Sequence, residues 1–200
     1  MDRYWFLTWR TYGTWLPGEA GFVGNYVSPD GRRVSDNAVG SPTTSPMPAL
    51  ARYAAGQLVR SPVYLTLPQA TRLFDQFAET SSYRGRCLDA VAILSNHIHL
   101  VVATPGDPDP DDLLDDFKAY ASRALNRLVG YKPPAPRPIW WAQGGSKRIL
   151  KSDGHRAGVV RYVRDQELPL VVWVSDTGRE LLAQYPDETW IGEPGASATG

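Results

Sequence analysis

From Arg3 to Arg10 the chain reads Arg-Tyr-Trp-Phe-Leu-Thr-Trp-Arg, an aromatic-rich run of strand composition that leads into the turn-rich segment 12–18. Periodicity is then lost. Between Gly18 and Pro48 the chain is dense in Gly, Pro, Ser and Asn, longer than an ordinary connection within a compact domain, which predicts an irregular but ordered excursion. Helical spacing resumes over 50–59 and more firmly over 68–81, where Pro68 suits a first helical turn. Two strand-like runs, 88–94 and 97–103, are split by Ser95-Asn96 and predict an antiparallel hairpin. The strongest helix spans 109–129, with Leu114, Phe117, Ala121, Ala124, Leu125 and Leu128 at helical spacing, acids in its first turns and Arg123 and Arg127 later. Pro133 to Pro138 ends it. A short Ile139-Trp140-Trp141 run, a Gly144-Gly145 turn carrying Lys147 and Arg148, a helix over 154–165 and a strand over 170–174 complete the pattern.

This order predicts an α+β fold with a mostly antiparallel sheet and helices packed on one face. One domain is expected over 1–174, with the excursion at 18–48, followed by a partly flexible tail over 175–200. At 200 residues such a domain buries enough apolar surface to need no staple. The single cysteine, Cys87, excludes a disulfide framework or a cysteine zinc site and fits a reducing compartment. No stretch is long and apolar enough to span a membrane and no signal-peptide pattern begins the chain. The expected location is therefore the cytoplasm, with no membrane partner.

The zero net charge conceals a segregation. Residues 104–116 hold six aspartates and no base, 117–165 hold eleven Lys or Arg against two acids, and 166–200 hold six acids against one Arg. The basic middle can form a track for a phosphate backbone or simply a solvated helix face.

In Asn96-His97-Ile98-His99-Leu100-Val101-Val102 strand alternation throws both imidazoles to one side and Ile98, Leu100 and Val102 to the other. Two rings about 7 Å apart at their backbones can converge on one cation. A turn at Ser95-Asn96 would set Ala92 opposite His99 and leave room beside that ring. The other reading is two polar residues on a wet face. On the 109–129 helix, Tyr120 falls on the shoulder of the apolar face with Asp116, Arg123 and Arg127 on the same flank, where a phenol could meet a phosphate. It could equally be an amphipathic residue at the core boundary.

Together these segments resemble the HUH single-tyrosine transposases. The histidine hairpin is similar to their metal-binding signature, and Phe117-Lys118-Ala119-Tyr120-Ala121-Ser122-Arg123 is similar to their nucleophile helix. Segments 11–18 and 141–146 resemble the branch of REP-associated tyrosine transposases. The resemblance implies a ferredoxin-like (RRM-like) sheet, a Mg²⁺ or Mn²⁺ ion on His97 and His99, and Tyr120 as nucleophile. It further implies cleavage and rejoining of single-stranded or hairpin DNA through a 5′-phosphotyrosine. Family members place a third, polar metal ligand one helical turn after the tyrosine. Here that position is Ala124, so Asp116 is the expected substitute, and a non-catalytic hairpin-DNA-binding protein is the alternative reading. A small metal-dependent hydrolase ranks behind both, because no general base sits at helical spacing from the histidines. Expected DNA contacts are Lys118, Arg123, Arg127, Lys147, Arg148 and Lys151, with Trp15, Trp140 or Trp141 available for stacking. The resemblance leaves monomer and homodimer both open.

Overall fold

A computed structural model describes residues 2–22, 24–36 and 45–190. Its elements are β1 (Asp2–Arg10), β2 (Gly24–Val27), β3 (Arg33–Asp36), α1 (Pro48–Gly56), α2 (Leu67–Tyr83), β4 (Cys87–Ile93), β5 (His97–Pro105), α3 (Pro110–Leu128), β6 (Ser146–Leu150), α4 (Asp153–Arg164), β7 (Val171–Val174) and α5 (Asp176–Gln184). Its contacts divide the described residues into two units, one of 2–11 with 64–190 and one within 12–63.

The larger unit is built on a five-stranded antiparallel sheet in the order β6-β1-β5-β4-β7. Taken without β7, β1-α2-β4-β5-α3-β6 is a ferredoxin-like βαββαβ arrangement, so the expected α+β fold is the observed one. Alternation sorts the strand side chains. Trp5, Leu7 and Trp9 of β1 stand beside Val102, Leu100 and Ile98 of β5, and Phe77 of α2 and Phe117 of α3 close this side through edge-to-face contacts with Trp9 and each other. Local signals fix both helices. Thr66 and Gln69 form a capping box at the start of α2, and the Asp109 carboxylate accepts from the Asp111 N–H at the start of α3.

The second face corrects the expectation of helices on one side only. Phe6, Ala90, Ala92 and Val101 point away from α2 and α3 and are covered by Val159, Val160 and Val163 of α4. An apolar face this large cannot be left in water, and α4 supplies the cover after the βαββαβ core is complete. Its anchor is ionic. Arg156 donates twice to the Asp89 carboxylate, at 2.6 and 2.7 Å, with both groups buried and the Tyr4 ring 3.9 Å from the guanidinium carbon. Asp89 sits where the β4–β5 register shifts between Leu88 and Ala90, the kind of irregularity that re-aims a side chain.

Residues 175–190, expected as part of a tail, include α5, capped by Ser175 and packed on α4. Beyond α5, Arg161 donates to the carbonyls of Tyr185 and Glu188, and Gly158 lets the backbone of Thr189 and Trp190 pass within about 3 Å of where a Cβ would stand. The last dozen residues were expected to be frayed; of these Thr189 and Trp190 are described, and 191–200 lie outside the described residues.

In the smaller unit the excursion is not wholly irregular. Its described part contains the β2–β3 hairpin, turned through Asp30-Gly31, and α1 follows it where a helix was expected over 50–59. Gly18, at φ +90°, packs so tightly on Met47 and Ala51 that a side chain has no room. Among the described residues no helix is long and apolar enough to cross a membrane.

Candidate metal and nucleophile site

The histidine hairpin forms with the expected register. Ala92 stands opposite His99 on one side and Thr8 on the other, and Arg10 stands opposite His97. The two rings meet at 82°, centroids 4.7 Å apart. Each has its Nδ1 engaged, His97 with Asn96 Oδ1 at 2.6 Å and His99 with Thr8 Oγ1 at 2.9 Å. With the ring proton on Nδ1, the Nε2 lone pair is what each ring offers a further partner, as in metal sites whose histidines are oriented from behind. Burial, then the Arg10 charge, pushes His97 down to about 4. His99 is held well below the usual imidazole value by burial first and by the charges of His97 and Arg10. Both rings are therefore neutral near pH 7, the form that binds metals.

The helix that meets them is α4, not α3. The Tyr162 ring lies edge-on to His99, centroids 5.3 Å apart, between Phe6 at 6.0 Å and Trp190 at 4.6 Å. One turn further, Gln166 donates from Nε2 to the Tyr162 carbonyl at 3.0 Å, and its side chain interacts with both histidines and the Tyr162 phenol. Burial raises the phenol above its usual value, while Gln166, Arg10 and Arg148 pull it back.

Two buried atoms here make no hydrogen bond of acceptable geometry, His99 Nε2 and Gln166 Oε1. Only 4% of His99 and 8% of Gln166 is exposed, so neither atom is satisfied by bulk water. Leaving a polar atom buried and unpartnered costs about 1–3 kcal/mol, and two lone-pair donors beside a second imidazole are a donor set that a divalent cation satisfies. The residues fit a metal. Among the described residues no group of three His, Cys, Asp or Glu side chains that could hold a metal ion gathers.

The other expected site residues fall elsewhere. Tyr120 is on α3, across the sheet from the histidines, with its ring between Arg84 and Arg123. Asp116, expected as a ligand, is on the same helix and is held by Arg84 and Arg86, each at 3.0 Å. Neither is brought to His97 and His99 within the chain. Lys118 spans to the carbonyls of Ala142 and Gly144, Lys147 pairs with Asp111, and Arg127 donates to Gln76. Arg123 is exposed on α3 and Lys151 just beyond β6. Of the expected DNA contacts, Arg148 alone acts on the Tyr162 phenol. Trp140 and Trp141 bond to Asn126 and to Ser122 of α3. Trp15 packs on Phe22 in the smaller unit.

Sequence reasoning missed Tyr162 and Gln166. The signal was a tyrosine followed four residues later by a side chain able to ligate, the spacing that Tyr120 and Ala124 fail to provide.

No family model and no curated protein matches this chain. Among solved structures it is similar to a REP-associated tyrosine transposase bound to a REP hairpin, at 14% identity and a TM-score of 0.43 over 99% of this chain and 90% of that one. It is also similar to a proposed transposase from Deinococcus radiodurans, at 15% identity and a TM-score of 0.40 over 84% and 93%. At these scores both likenesses are loose.

Proposed function

We propose that this protein cuts and rejoins single-stranded DNA by transesterification, with Tyr162 as the nucleophile and His97, His99 and Gln166 as ligands of a Mg²⁺ or Mn²⁺ ion. The observation that carries the reading is the meeting of one phenol, two neutral imidazoles and an unpartnered amide oxygen at one point of the β5–α4 interface. The ion, when bound, polarises the scissile phosphate and offsets its developing charge. Tyr162 Oη attacks phosphorus, the bond from phosphorus to the 3′-oxygen breaks, the phenol proton is lost and the departing 3′-oxygen gains one. A 5′-phosphotyrosine and a free 3′-hydroxyl result. One phosphodiester replaces another, so a second 3′-hydroxyl can reverse the step without an energy source. Arg10 and Arg148 favour the phenolate, countering the burial that opposes it.

The second reading is a non-catalytic hairpin-DNA-binding protein, motivated by Ala124 and the neutral net charge; with α4 rather than α3 meeting the histidines, the net charge is the motive that remains. Hairpin-bearing single strands are the substrate class to try. With Mn²⁺ and such an oligonucleotide, the wild-type protein should form a covalent adduct on a denaturing gel. Tyr162→Phe should reduce the adduct by roughly 10⁴-fold or more, and Tyr120→Phe should leave it within about two-fold. An adduct that survives Tyr162→Phe and disappears in Tyr120→Phe would return the nucleophile to α3.

A further inference from the structure

The side of the sheet covered by α2 and α3 carries a group of residues that the proposed chemistry does not use. Tyr83, the last residue of α2, has 77% of its surface exposed, more than any other aromatic residue among the described ones. The guanidinium carbon of Arg84 lies 5.8 Å from the centroid of that ring and 6.0 Å from that of Tyr120. Arg123, one turn beyond Tyr120 on α3, lies 4.8 Å from the Tyr120 centroid. Ring, cation, ring and cation thus follow one another from the end of α2 across α3.

Positive charge is in excess along this strip. Asp116 is one carboxylate shared by Arg84 and Arg86, and Glu79 accepts from Gln76. Among the described residues Arg123 has the Tyr120 ring for a neighbour and no ion pair. From Phe117 to Ser152 the chain holds eight Lys or Arg and no acid. A cation–π contact orients a guanidinium without neutralising it, so Tyr120 presents Arg84 and Arg123 with their charge intact. The complementary occupant is therefore an anion, and the open Tyr83 ring narrows it to one that also carries a planar face to stack. A single strand of nucleic acid offers both in every repeat, a phosphate and an unpaired base. A duplex hides its base faces, and an acidic peptide lacks the regular alternation.

We infer that Tyr83, Arg84 and Arg123 form a second binding surface for single-stranded DNA, with a base stacked on Tyr83, phosphates on the two arginines, and Tyr120 positioning both guanidiniums. The choice of DNA over RNA rests on the function proposed above. The surface itself does not, since it lies across the sheet from the histidines and needs no metal.

Fluorescence anisotropy of a labelled oligothymidine, titrated with the full-length Tyr162→Phe protein in EDTA, tests the surface without metal or turnover. Tyr83→Ala should weaken binding about ten-fold, and Tyr83→Phe, which keeps the ring, less than about two-fold. An abasic strand of equal length should bind the parent about ten-fold more weakly and lose little further in Tyr83→Ala. Arg123→Gln should lower the slope of log affinity against log salt by about 0.7, the share of one phosphate. Tyr120→Leu should weaken binding, whereas Tyr120→Phe should not. Tyr83 and Arg123 are exposed, so their variants should melt close to the parent. Affinity unchanged in Tyr83→Ala would overturn the inference, as would equal binding of the abasic strand or of a duplex. Tighter, Tyr83-dependent binding of oligouridine would overturn the choice of DNA and assign the surface to RNA. The two readings fail separately: no Tyr162-dependent adduct from wild-type protein defeats the proposed function, while an adduct with Tyr83-independent binding defeats only the second surface.

Discussion

Helices α3 and α4 each carry a tyrosine with arginines nearby, and each lays an apolar stripe on the central sheet, yet they lie on opposite faces and have opposite surroundings. Around Tyr120 the arginines are exposed or paired, Arg84 and Arg86 with Asp116 and Arg127 with Gln76. Around Tyr162 the neighbours are two neutral histidines and the Gln166 amide, with Arg10 and Arg148 acting on the phenol. A pair of arginines beside a phenol therefore says little by itself. What separates the two settings is the kind of partner: carboxylate and amide oxygens pair arginines beside α3, whereas α4 meets two neutral imidazoles.

That contrast can be broken by substitution. Removing the α4 anchor should have the largest effect on stability, because Arg156→Ala leaves the Asp89 charge buried without a partner. A loss of about 3–5 kcal/mol is expected in denaturant unfolding, and a loss below about 1 kcal/mol would mean that α4 is held by its valines alone. Thr8→Val comes next. It removes the oxygen that orients His99 from behind and should weaken Mn²⁺ binding about 10–100-fold by calorimetry in the presence of DNA, with the melting temperature little changed. The smallest effect belongs to α3. Asp116→Ala breaks two pairs that are partly open to solvent, should cost about 1 kcal/mol, and should leave Mn²⁺ affinity untouched. A fall in Mn²⁺ affinity in that variant would restore Asp116 as a ligand.

The order of elements was largely legible because apolar spacing reports it directly. The hairpin register followed from the Ser95-Asn96 turn, and with it Ala92 facing His99. Strand β6 was not legible. Ser146-Lys147-Arg148-Ile149-Leu150 shows no alternation, since an edge strand half open to solvent tolerates charge on both sides. Helix α5 was read as tail because its sequence is mostly polar, although Ser175 marks its start. The site was half legible. Two histidines on one strand announce their shared direction through geometry within a single element. The face of the sheet that a helix occupies is decided by connections between elements, and the amphipathic patterns of α3 and α4 carry no mark of it. Tyr120 drew notice for the arginines on its own helix, whereas the arginines that matter to Tyr162 come from β1 and β6.

Tyr162 and Gln166 share one helix end, and the Asp89–Arg156 pair fastens that helix to the sheet near its opposite end. Phenol and amide thus travel together, and a slip of α4 by a fraction of a turn would carry both away from the histidines in a single movement.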